Sequence, residues 1–208
     1  MAGSANIRHG LTGLILLISC VAAAETDSSL TGTLLVASPD MPDNRFSQTV
    51  ILMLKHDNQG TFGVIVNQPS PFSLSDVTPE LTQSPNNDYP LNYGGPVDLE
   101  ALSLLLRTDH PPDGIFKIHE GFYFTRETRV FDKVIARQPS ASDLRVILGY
   151  AGWAPNQLES EIKRSDWRIV PGKAMQILDI DQNELWQHLI EQTGGMAPTH
   201  IPGEENLI

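Results

Sequence analysis

Apolar residues are unevenly spread along the chain, and their period changes from segment to segment. The first cluster is N-terminal. Residues 1–10 are polar and include Arg8 and His9, residues 11–24 run without a charge, and residues 25–29 are polar again. A positive lead, a short apolar run and a small-residue exit form the pattern of a secretory signal. The uncharged run of residues 11–24 falls short of the about 20 residues that a membrane-spanning helix needs. Beyond it, Leu34–Ala37 reads as a strand stopped by Ser38-Pro39, and Thr49–Leu54 as a β-branched run buried on both faces. Asp57-Asn58-Gln59-Gly60 supplies a turn, and Phe62–Val66 a second buried run, so the two runs predict a central hairpin. Gly63 inside the second run marks a bulge or a close neighbour.

Residues 69–90, rich in Pro, Ser, Thr and Asn, read as a surface excursion with one helical turn. Strands are expected over Ala101–Arg107, Ile115–Thr125 (interrupted at Gly121) and Leu144–Leu148, with further short ones at Trp167–Val170 and Met175–Leu178. Val130, Phe131, Val134 and Ile135 recur at helical spacing within Glu127–Gln138. A second helix is expected to open with Pro155 in its first turn and to bury Leu158 and Ile162. A third follows the capping sequence Asp181–Glu184 and stops at Gly194-Gly195. Strands and helices mix throughout, without repeats or composition breaks. The expected fold is therefore α/β (α+β): a single compact domain with a mixed, largely antiparallel sheet, a central hairpin and flanking helices. The expected divisions are a signal over 1–24, or a lipoprotein signal ending before Cys20, a domain over 25–195, and a flexible tail over 196–208.

Composition narrows the possible functions. The 208 residues hold 14 Lys and Arg against 25 Asp and Glu, a net charge of −11. Setting residues 1–24 aside removes one arginine and no acid, so the excess belongs to the body of the chain. Such a surface is unsuited to phosphate backbones, and no helix-turn-helix with a basic recognition helix is visible, which argues against direct nucleic-acid binding. The single cysteine, Cys20, lies inside the N-terminal apolar run. Leu17-Ile18-Ser19-Cys20 resembles a bacterial lipobox, in which Cys20 would become an acylated first residue. Ala22-Ala23-Ala24 before Glu25 suits ordinary signal peptidase, which would discard the cysteine. Either route exports the chain, to the periplasm or to a lipid-anchored place on the membrane, which it would touch only through the signal or the acyl group. The alternative is a cytoplasmic protein whose N-terminal segment does not work as a signal. In both exported forms the body lacks a thiol for nucleophilic or metal chemistry.

Known catalytic motifs are absent: there is no nucleophile elbow, phosphate loop, dinucleotide fingerprint or zinc-protease helix. His56, His110, His119, His188 and His200 do not share metal-ligand spacing on one helix, and His56 and His119 fall at strand ends, where hydrogen-bonded edge roles are expected. No catalytic residue, metal set or cofactor is assigned. Four segments carry more Gly, Asn and aromatic punctuation than a core requires: residues 41–50, Gly63–Pro69, Tyr93-Gly94-Gly95-Pro96-Val97, and Gly149–Ile162. Together they resemble the YqgE/AlgH family over about residues 30–193, most specifically in Gly149-Tyr150-Ala151-Gly152-Trp153 and Gln157-Leu158-Glu159-Ser160-Glu161-Ile162. The resemblance implies a compact α/β domain and little about activity, although one branch is described as a transcriptional regulator. The chain departs from the family pattern at Gln68, where the family often has Arg, at Asn156, where it has Gly, and over Ala101–Leu106, where a family Arg and His are missing.

Read physically, glycines beside large rings can build a groove floor with aromatic walls. The candidate ligand site is a polar cleft lined by Asn67, Tyr93, Gly94, Gly95, Tyr150, Trp153, Gln157 and Glu161. Glycine turns, a core tryptophan and carboxylates favoured at a helix start account for the same residues without a ligand. The sequence thus suggests a non-enzymatic binding or regulatory module for a small ligand or partner protein. An unrecognised hydrolase or transferase using that cleft, and an indirect transcriptional regulator, stand as alternatives.

Overall fold

The computed structural model describes residues 30–81, 88–171 and 174–193. The expected signal, Cys20, the Gly194-Gly195 stop and the tail lie outside these residues. The two buried runs form the expected hairpin: β2 (Val50–Asp57) and β3 (Gly60–Ile65) pair antiparallel around the Asn58-Gln59 turn. β1 (Leu34–Ala37) flanks β2 and pairs on its other side with β10 (Trp167–Val170). The hairpin's second strand continues the sheet into β9 (Leu144–Trp153), followed by β6 (Val97–Arg107), β8 (Phe122–Thr125) and β7 (Phe116–His119). A ribbon of β4 (Pro69–Ser73) and β5 (Pro90–Tyr93) joins through parallel pairing of β5 with β9, and the other pairings are antiparallel. The molecule is therefore α+β with a mixed, largely antiparallel sheet.

Among the described residues, three apolar clusters cover this sheet, and a helix packs on each. Leu185 and Leu189 of α4 (Gln182–Thr193) seal one. Leu158 and Ile162 of α3 (Gln157–Lys163) seal the second, and Val130, Phe131, Val134 and Ile135 of α2 (Thr128–Ala136) the third. The remaining helix, α1 (Leu74–Val77), is a single turn that buries Leu74.

Several expectations need correction. Met175–Leu178 is not a strand; Ala174–Leu178 forms a 3-10 turn that places Ile177 under the α4 cluster. A short apolar run is compatible with either conformation, and here one buried side chain is enough. Pro155 lies in a turn, and α3 begins only at Gln157 because Asn156 takes a left-handed φ of 65° that no helix continues. Strands β6 and β9 outrun their expected limits, since Gly149 and Gly152 are carried inside β9 instead of ending it. The excursion over 69–90 contains β4, α1 and a 3-10 turn at Pro79–Leu81, and it ends where β5 begins.

Two irregularities decide which side chains share a face. In β2, Leu52 and Leu54 point to the α4 cluster and Ile51 and Met53 to the α3 cluster. The register with β3 slips between Met53 and Lys55, and Lys55 then pairs with Phe62, which packs against the α4 cluster. Lys55 thus follows Leu54 onto the same face, because one extra residue inverts the alternation of a strand. Gly149, at φ +70°, does the same in β9. Before it, Ile147 faces the α4 cluster and Val146 and Leu148 the α2 cluster; after it, Tyr150 turns to the α4 side and Ala151 and Trp153 to the α3 side.

Candidate functional site

The expected site residues fall into four places. Asn67, leaving β3, spends its carboxamide on the backbone: Oδ1 accepts from Val50 N–H at 2.7 Å and Nδ2 donates to Gln48 C=O at 2.9 Å. It borders a hollow of about 220 Å3 with Gln68, Gln182 and Trp186. Nearby, Arg145 donates to the Val66 carbonyl, and burial pushes its guanidinium down to about 10, with Asp181 acting in the opposite direction.

Tyr93, Gly94 and Gly95 form a backbone junction where β3 and β9 part and the end of β5 enters between them. Ile65 N–H donates to Gly94 C=O at 2.8 Å, and Gly94 N–H donates to Leu148 C=O at 2.7 Å. A Cβ on Gly94 would lie 2.4 Å from Gly149 O, and one on Gly95 2.2 Å from the carbonyl carbon of Tyr150. The close neighbour that these glycines admit is β9 itself, and Tyr93, half-buried, pairs with Leu148 beside it.

Trp153, Gln157 and Glu161 do come together. Glu161 Oε2 accepts the indole N–H groups of Trp153 at 2.8 Å and Trp167 at 2.9 Å, while Oε1 accepts from Gln157 Nε2 at 3.0 Å. Gln157 Oε1 in turn accepts from Ala154 N–H at 3.1 Å, tying the helix start to the residue that follows β9. Phe46 lies against both indoles, 6.4 Å from Trp153 in a stacked arrangement and 5.7 Å from Trp167 edge-on. The i, i+4 spacing of Gln157 and Glu161 puts both on one helix face, as the sequence shows, but Glu161 is spent on two indoles of its own chain and Gln157 on Glu161 and a backbone amide.

Tyr150 is the residue that opens onto a surface groove, with Trp153 at one end. Two adjoining cavities of about 430 and 440 Å3 share Lys55, Phe62 and Arg126. The Phe62 and Tyr150 rings meet edge-on at 6.1 Å. The Arg126 guanidinium sits 4.9 Å from the centre of the Tyr150 ring, a cation–π geometry. Its acidic neighbour, Asp98, is 3.6 Å away, beyond ordinary hydrogen-bond distance. Val97 and Phe116 on the rim are 38% and 48% exposed.

Sequence reading misses Lys55 because the slip in β2 is silent in it, and it takes Phe62 as part of a buried run. Without the slip in β2, Lys55 would face α3; without Gly149 in a left-handed conformation, Tyr150 would follow Val146 and Leu148 toward the α2 cluster. The visible signal is Lys55 ending an otherwise apolar run.

The histidines at strand ends are hydrogen-bonded as expected. His56 Nε2 lies 3.1 Å from Glu159 Oε1, on the face that carries α3, and His119 Nε2 lies 3.2 Å from Gly32 O. Among the described residues no three His, Cys, Asp or Glu side chains gather to hold a metal, and no helix is long and apolar enough to cross a membrane.

Comparison with known proteins agrees with this architecture. A family model described as AlgH-like matches residues 34–198. A UPF0301 protein of Psychrobacter is 33% identical over 176 residues, covering 81% of this chain and 93% of its own. A UPF0301 protein of Streptomyces coelicolor is 31% identical over 174 residues, covering 81% and 89%. The solution structure of the AlgH protein from Pseudomonas aeruginosa superposes with a TM-score of 0.67 at 23% identity, over 88% of this chain and 98% of that one. A crystal structure from Corynebacterium diphtheriae gives 0.62 at 24% identity, over 83% and 88%. At these identities the two structures speak to the fold alone.

Proposed function

The chain belongs to the AlgH-like family, and on that premise we propose that it is a binding module, not an enzyme, which recognises a small ligand or partner protein in the groove walled by Phe62 and Tyr150. The observation that carries this reading is Arg126 laid over the Tyr150 ring beside Lys55, with exposed apolar side chains on the rim. A concave site with aromatic walls and a few polar groups is the usual form of a ligand pocket. The candidate acid–base groups are occupied elsewhere: Glu161 by two indoles and an amide, and Glu159 by His56 on the other face of the sheet. A role in transcription, on this reading, runs through a partner protein, because the acidic chain repels phosphate backbones.

A fragment screen followed by amide NMR tests the proposal. Ligands are expected to shift the signals of Phe62, Arg126, Tyr150 and Gly152 together. Hits confined to the hollow at Asn67, or none at the groove, would overturn it.

We further propose that residues 1–24 work as an export signal and that the module acts outside the cytoplasm, with Cys20 acylated or the chain cut before Glu25. Intact mass of protein from membrane and periplasmic fractions separates the two starts, and an N-terminus retained in full would count against export.

A further inference from the structure

We infer that the ligand of the groove is an amphiphilic organic acid, an apolar or aromatic body carrying a single anionic head, and that Lys55 and Arg126 read the head. The inference rests on the groove being a binding site and goes on to name its ligand class.

The argument starts from the row across the sheet. Lys55 pairs with Phe62, and Phe62 pairs with Gly152, so a cation, a ring and a residue without a side chain lie side by side on one face. Tyr150, turned to this face by Gly149, closes the row, and Arg126 covers its ring. The floor continues through Leu54 and Phe124 to the exposed ring of Phe116. Two cavities sharing three residues give room for an elongated ligand of drug-like size.

Charge selects among the ligands that fit. On a chain with a net charge of −11, two cations flank one apolar trough. Neither is held tightly: Lys55 Nζ is 3.2 Å from Asp57 with both side chains more than two-fifths exposed, and Arg126 is 3.6 Å from Asp98. Exposed pairs of this kind are weak, so both cations can turn to a ligand. A neutral apolar ligand would leave them unused, and a small hydrophilic anion would leave the aromatic walls unused. Glu127 also borders the trough, which opposes ligands of high negative charge.

Fluorescence titration of the full chain tests this with two probes that share one apolar body: 1-anilinonaphthalene-8-sulfonate and the uncharged N-phenyl-1-naphthylamine. Lys55→Gln with Arg126→Gln is expected to weaken the sulfonate at least tenfold and the neutral probe less than twofold. Tyr150→Leu is expected to weaken both. Decanoate should displace the sulfonate at lower concentration than decanol does. If both probes bind the groove and the charge variant leaves the sulfonate unchanged, the inference is overturned while the binding groove stands. If neither probe responds to Tyr150→Leu or to Phe62→Leu in chains whose circular dichroism is native, the groove reading fails as well.

Discussion

Residues 150–162 build two neighbouring regions that use aromatic side chains in opposite ways. In the knot around Glu161, every named polar group has a partner: two indole N–H groups and one amide converge on a single carboxylate, and a third ring, Phe46, lies against the indoles. In the groove around Tyr150, two rings meet edge-on, but the cations beside them have only long or exposed counter-charges. Closing polar valences inside the chain ties α3, β9 and β10 together, because an unpaired buried donor costs more than a satisfied one contributes. Leaving them open contributes little to folding and keeps them available to a ligand.

The largest effect that tests this contrast is expected from Glu161→Ala. It strands the indole N–H groups of Trp153 and Trp167, both at least nine-tenths buried. At about 1–3 kcal/mol for each unpaired donor, urea unfolding should show a loss of roughly 3 kcal/mol, and Glu161→Gln, which keeps an acceptor, a smaller one. A loss below about 1 kcal/mol would mean that the knot is not what holds α3 to the sheet.

Gly149→Ala comes next, because Gly149 sets which way Tyr150 and Trp153 point. Its Cβ would lie 2.9 Å from Gly95 O and Val97 O, at a φ of +70°. Strain of this kind costs about 1–3 kcal/mol, and the Tyr150 amide and ring signals should shift with it. Native spectra at native stability would show that the turn of β9 does not depend on glycine.

A single closed hydrogen bond gives the scale for the knot. Tyr89 donates to Pro139 C=O at 2.8 Å, and burial raises its phenol above the usual tyrosine value of 10.0. The unfolded chain therefore loses this proton first, and the stability contributed by the buried neutral phenol is complete below about pH 10 and fades as pH rises through the folded value. Tyr89→Phe should cost about 1 kcal/mol near neutral pH and flatten the alkaline fall in the urea midpoint. An unchanged alkaline limb would show that another group governs it.

The smallest stability effect belongs to the groove. Arg126→Gln should change stability by no more than about 0.5 kcal/mol, in contrast to its expected effect on anionic ligands. A loss comparable to that of Glu161→Ala would erase the distinction between the two regions.

Much of the fold is legible in the chain, and the site only in part. Leu34–Ala37, Thr49–Leu54 and Phe62–Val66 announce buried strands by their β-branched apolar runs. The spacing of Val130, Phe131, Val134 and Ile135 announces α2. Met175–Leu178 misleads because a short apolar run carries no period of its own. At the site, sequence spacing puts Gln157 and Glu161 on one face but says nothing of the two indoles that Glu161 meets, one of which, Trp167, lies on another strand. Asn67 belongs to a different hollow because it follows the last residue of β3, whereas Gly60, Thr61 and Phe62 at the start of that strand line the groove.

By itself the sequence determined most of the elements, the central hairpin, the acid excess and the close approach at Gly63, since all of these follow from side-chain chemistry and local period. Tertiary structure decided which face each residue serves. The alternation of a strand is inverted by one extra residue in β2 and one left-handed glycine in β9, and no local pattern records either event. Whether Lys55 and Tyr150 line a shared groove, and whether Trp153 meets Glu161, depends on the register of strands paired across the sheet, which is a property of the whole packed molecule.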